Sequence, residues 1–241
     1  MPRFSTICLN DSELEFTNKI LSSDALAAQI ITRIKRKIPT SVIRMADGER
    51  AFIAHSKGDE PESFMLDPNW LKRYGVIGAD MKAVGRDLVE AGNSADYLAC
   101  TISGLAWPNF DVYKHFPSRQ RFIDQFFPYF WEAKNRTGCI LRAADVLVLH
   151  REHAKFVPML SKKYGATITG LGLDSWKDHE KLIDRVKSSN AGTVLVSGGP
   201  SGKLFCVKLA REAGKVVLDI GEAIGRAWVA GTDDTRGKPV K

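Results

Sequence analysis

Apolar and polar positions along this chain follow two periods. Ile20, Leu21, Ala25, Leu26, Ala28, Ile30, Ile31 and Ile34 recur near helical spacing. They predict helix over residues 11–38, with Ser23 or Asp24 capping a second segment and Pro39 ending it. Residues 41–46 form a short apolar run that predicts a buried strand, and a helix follows from about Glu49. Residues 57–74 are polar and rich in turn formers, which predicts a long loop. A helix over 79–91, a strand over 97–101 and a second loop over 103–108 come next. Phe122, Ile123, Phe126, Phe127, Phe130 and Trp131 give residues 119–135 helical spacing, with Pro128 as a kink or break. A stripe of this kind reads as core rather than as a binding wall.

From residue 145 the pattern becomes regular. Strands are predicted over 145–149, 166–169, 193–197 and 215–219, and helices over 152–164, 175–188 and 201–213. Strands alternating with helices imply an α/β fold: a mainly parallel sheet with helices on both faces.

Composition adds bounds. The chain has 241 residues, of which 44% are hydrophobic and 26% charged, as in an ordinary globular protein. No apolar run approaches membrane-spanning length, and residues 1–5 carry no hydrophobic signal region, so a cytoplasmic protein is expected. Cys8, Cys100, Cys139 and Cys206 lack metal-ligand spacing and read as free thiols rather than disulfides or a zinc site. The net charge of +7 suits a phosphate-bearing substrate, an anionic polymer or an acidic surface without choosing among them. The basic run at residues 33–37 sits at a helix end, where positive charge is favourable anyway.

The chemistry gathers at strand ends. Asp47, Gly48 and Glu49 follow the first strand. Ligands of open α/β sheets bind beyond such ends, and close carboxylates there suit a hard divalent cation that in turn holds a diphosphate. Gly48 would leave room for a phosphate. The alternative is structural, with Asp47 and Glu49 capping and charging a helix N-terminus. Arg44, inside an apolar strand, needs a partner, and Asp47 is near enough to be one. Ser197, Gly198, Gly199, Pro200 and Lys203 join a strand to a helix. They fail the Walker A pattern, yet small residues before a helix N-terminus expose N–H groups to an anion. Asp219, Gly221 and Glu222 place further carboxylates at a strand end. Residues 170–175 form a weak dinucleotide fingerprint. His150 and His153 alone do not make a metal site.

Residues 44–49, with 194–200 and 217–221 following in order, resemble the GT-D-type glycosyltransferases and their Asp-x-Glu motif. The resemblance covers most of residues 40–225. It implies one Rossmann-like GT-D domain over residues 1–241, a nucleotide-diphosphate sugar donor (a UDP-sugar is expected) and a divalent cation, manganese or else magnesium. It carries Asp47 and Glu49 over as metal and diphosphate residues, and the 197–200 turn as part of the donor pocket. Arg44, Gly48, Lys203, Asp219 and Gly221 are expected around the donor. Glu222 stands where family members often have histidine. Glu222 and Asp174 are the candidate bases for an acceptor hydroxyl. The helical segment at 11–38, the loop-rich and helical insert at about 55–135 and the polar tail at about 231–241 would flank the core. The acceptor, a glycan, a protein or a nucleic acid, would be chosen within the insert. Trp107 is the candidate platform for a sugar ring, and Lys57, Lys72, Arg73 and Lys82 are the candidates for a polyanion. The competing readings are a noncatalytic nucleotide or nucleic-acid binding module and, behind it, a dinucleotide-dependent oxidoreductase using residues 170–175.

Overall fold

The structure is a computed structural model. It describes residues 20–100, 115–116, 121–175 and 178–231, and for Asp47 the backbone alone. Trp107 and Cys8, and with them the candidate roles above, lie outside the described residues.

Helix α1 (Ser23–Lys35) leads into β1 (Thr40–Met45) and α2 (Asp47–Ser56). The insert contributes α3 (Pro68–Arg73), α4 (Met81–Ser94), β2 (Tyr97–Cys100), β3 (Phe122–Asp124), α5 (Phe127–Ala133) and α6 (Thr137–Leu141). The regular half follows as β4 (Val146–Leu149), α7 (His153–Tyr164), β5 (Ile168–Leu171), α8 (His179–Lys187), β6 (Thr193–Val196), α9 (Gly199–Ala213) and β7 (Val216–Asp219). The strands form a seven-stranded sheet in the order β3-β2-β1-β7-β6-β4-β5. Every pairing is parallel.

A parallel sheet with helices on both sides needs strands apolar on both faces, which is why β2, β4, β6 and β7 are buried throughout. One core packs Ile43, Leu98, Leu147 and Val194 against Phe52, Leu88, Ile183 and Phe205 of α2, α4, α8 and α9. The other packs Val42, Ala99, Val148 and Leu218 against Leu26, Ile30, Trp131 and Leu160 of α1, α5 and α7. Helices α7 and α9 thus leave the neighbouring strands β4 and β6 toward opposite faces. The crevice that such a switch opens at the carboxyl ends of the strands is where an α/β sheet takes its ligand.

Local signals account for most boundaries. Ser22, not Ser23 or Asp24, caps α1, its Oγ accepting from Ala25 N–H at 3.2 Å. The predicted loop at 57–74 is in part helical: a 3-10 turn at Ser63–Leu66 precedes α3. Asp67 caps α3 by accepting from Asn69 N–H at 2.9 Å, with Pro68 in the first turn. The predicted helix at 119–135 divides into β3 and α5, and Pro128 stands in the first turn of α5 rather than at a kink. Proline fits there because that N–H has no helical partner to lose. Phe122, Phe127 and Trp131 are core as expected. Cys100 and Cys206 are buried free thiols, and Cys139 is a free thiol on the surface. Among the described residues no helix is long and apolar enough to cross a membrane.

Candidate functional site

A cleft of about 740 Å³ opens at the carboxyl ends of the strands. Because all the strands are parallel, the segments that leave them converge there. Arg44, Gly48, Glu49, Asp174, Ser197, Gly198, Gly199, Pro200, Lys203, Gly221 and Glu222 all line it. Asp219 lies behind the wall, 1% exposed. The fold therefore gathers the strand-end residues into one place.

Glu49 and Asp219 are held by groups of the chain itself, while the side chain of Asp47 lies outside the described residues. Glu49 is 5% exposed. Its Oε2 accepts from Ala46 N–H at 2.8 Å, and its Oε1 lies 3.1 Å from Lys203 Nζ. The same ammonium lies 3.2 Å from Asp219 Oδ2. That oxygen also accepts from Arg44 N–H at 3.0 Å, while Asp219 Oδ1 accepts from Gly221 N–H at 3.1 Å. Burial by itself would lower the Lys203 pKa. Asp219 and Glu49 outweigh it and hold the ammonium well above its ordinary range. Lys203 is thus the cation between these carboxylates, and Glu49 as placed does not fit the role of an open metal ligand. Among the described residues no group of His, Cys, Asp and Glu side chains is arranged to hold a metal ion.

The Arg44 guanidinium has backbone partners, and the Asp47 side chain expected beside it lies outside the described residues. Arg44 Nε donates to Gln125 O at 2.8 Å and its Nη1 to Ile220 O at 3.1 Å. The guanidinium ties β1 to the chain leaving β3 and β7. Near it, burial pushes the Asp124 carboxyl up to about 6, against the opposing pull of Phe126 N–H and Arg44.

One cleft wall comes from the insert. Trp70 and Tyr74, one helical turn apart, have ring centroids 4.3 Å from each other, and Phe64 lies 4.6 Å from Trp70. A Cβ on Gly48 would meet the Trp70 ring at 3.3 Å, so Gly48 makes room for the indole. Trp70, Arg73, Tyr74, Arg151 and Arg226 line the cleft and were not among the donor candidates. The pair Asp67-Pro68 is a helix-start signal that would have placed Trp70 and Tyr74 on one face.

Charge across the cleft is mixed. Glu222 Oε2 lies 2.7 Å from Arg226 Nη2, and its Oε1 lies 3.4 Å from Arg73 Nη2. Arg151 Nη2 donates to Lys72 O at 3.2 Å, which ties α3 to the β4 end. Asp174 is exposed in the cleft. Burial lowers the His150 pKa, and its Nδ1 accepts from Glu152 N–H at 2.8 Å. The neutral ring then carries its proton on Nε2. Helix α9 begins at the cleft with Gly198 as its cap residue and no side chain closing its first turn. Its leading N–H groups suit an anion.

A family model for the GT-D fold-like domain matches residues 21–227. A solved structure, described with the words that the highly conserved domain of unknown function 1792 has a distinct glycosyltransferase fold, superposes with a TM-score of 0.53. It is 14% identical, and the match covers 87% of this chain and 81% of that one. No curated protein matches the chain. The likeness in structure shows a glycosyltransferase fold, and the match over residues 21–227 shows that the chain belongs to the GT-D-like family.

Proposed function

We propose that this protein is a glycosyltransferase that moves a sugar from a nucleotide-diphosphate sugar, a UDP-sugar in the first instance, to an acceptor hydroxyl. One observation carries the reading. A single cleft joins the open N-terminus of α9 and its 197–200 turn to an aromatic wall and a set of arginines. A helix N-terminus and guanidinium groups suit a diphosphate, and stacked rings suit a base or a sugar. Family membership supports the same donor class.

The chain's own groups divide the work. The α9 N–H groups, with Arg73, Arg151 and Arg226, meet the negative charge that grows on the leaving diphosphate. Glu222 holds Arg226 and Arg73 and so positions them. Asp174, exposed in the cleft, is the candidate base for the acceptor hydroxyl. The acceptor is open among glycan, protein and nucleic acid.

The test is a panel of nucleotide sugars incubated with the protein, with and without manganese, and read by nucleotide release. Release from one donor class, lost in Asp174→Asn, supports the assignment. Tight nucleotide binding with no release from any donor would favour the noncatalytic binding module.

A further inference from the structure

Two of the strand-end carboxylates are committed to a cation that the chain itself carries. Glu49 and Asp219 share the Lys203 ammonium at 3.1 and 3.2 Å. Their other oxygens accept backbone N–H groups from Ala46 and Gly221. Both side chains are buried, and each carboxylate is already matched by the ammonium and by a backbone N–H. A divalent ion on Glu49 would have to displace Lys203 or sit beside it and be repelled by its charge. Neither Glu49 nor Asp219 is therefore available to a metal.

Other groups are placed to take the charge of a diphosphate. Arg73 comes from the insert, Arg151 from the end of β4 and Arg226 from beyond β7, and all line the same cleft. Glu222 holds Arg73 and Arg226 from opposite sides of its carboxylate. Tyr74 Oη donates to the same carboxylate at 3.5 Å. Phosphate oxygens are the acceptors that guanidinium forks match best.

The geometry points to a donor site that holds its nucleotide diphosphate without a divalent cation, with Lys203 fixed between Glu49 and Asp219 and the arginines facing the phosphates. This rests on the reading of the cleft as a nucleotide-diphosphate site. The experiment is a calorimetric titration of UDP into the full chain, first in EDTA and then in manganese or magnesium. The expected result is a Kd that agrees within about twofold between the two conditions. In EDTA, Arg73→Ala with Arg226→Ala should weaken UDP by about tenfold or more, the size of losing a charge-assisted contact. UDP that binds with the cation and fails to bind in EDTA overturns this inference and leaves the glycosyltransferase reading standing. UDP that binds in neither condition overturns both.

Discussion

Gly199 and Tyr74 meet across the cleft: a Cβ on Gly199 would lie 2.8 Å from the Tyr74 carbonyl oxygen. Gly199 also has φ of +58°, a conformation that other residues adopt at a cost. From sequence, the glycine reads as a place where backbone approaches a ligand. In the fold it lets the α9 turn approach the aromatic wall. Gly199→Val should therefore destabilise the protein by roughly 1–3 kcal/mol through strain and overpacking, seen as a lower melting temperature. An unchanged melting temperature would show that Tyr74 yields easily.

Lys203 links α9 to Glu49 on α2 and to Asp219 at the end of β7. Lys203→Met would strand both buried carboxylates without their cation. A loss of about 3–5 kcal/mol is expected in urea unfolding, as for other broken buried pairs. Glu49→Gln should also cost stability, so it is not a neutral probe of ligand binding. Full stability in Lys203→Met would mean that the ammonium contributes nothing to the fold.

Trp70 stacks on Tyr74 and roofs Gly48. If this wall carries the base or the sugar of the donor, Trp70→Ala should weaken UDP or UDP-sugar binding by about 1–3 kcal/mol, while Trp70→Phe loses less. Equal affinity of Trp70→Ala and wild type would move the base elsewhere in the cleft.

His179 stacks on Phe205 with ring centroids 4.2 Å apart, and burial, with the nearby Lys208 charge adding to it, lowers its pKa to about 4. The unfolded chain takes up this proton below about 6.5, whereas the fold resists it until about 4. Stability contributed by His179 is thus present above pH 6.5 and is lost as pH falls toward 4. His179→Phe keeps the stack and removes the proton, so its stability should fall less than wild type across that window. Asp124, raised to about 6, runs the other way. The difference between variant and wild type isolates His179, and parallel curves would contradict the assignment.

The sheet was legible because its central strands are short, mostly apolar runs that alternate with amphipathic helices. That pattern fixes a parallel order but not which strand lies beside which. The carboxylates at 47–49 and 219–222 were legible as strand-end residues, and Ser197–Lys203 as a strand-to-helix turn. Their partners were not. The pairing of Glu49 and Asp219 through Lys203 joins residues far apart in sequence, and only the β1–β7 neighbourhood brings them together. A lysine after a glycine-rich turn reads as a phosphate contact, while here it is an internal counter-ion. The aromatic wall was missed for a local reason: turn formers around residues 57–68 masked the Asp67-Pro68 start of α3. The wall residues Trp70, Arg73 and Tyr74 come from a helix of six residues and its cap, too short for a periodic signal, so their place in the cleft comes from tertiary packing.

Whether the cleft at the strand ends is the donor site is read by hydrogen–deuterium exchange with and without a UDP-sugar. The expected result is slower exchange in the segments that line the cleft, around Trp70–Gly75, Ser197–Lys203 and Gly221–Arg226, with little change in α1 or α8. Protection confined to other surfaces, or no protection at saturating donor, would contradict it.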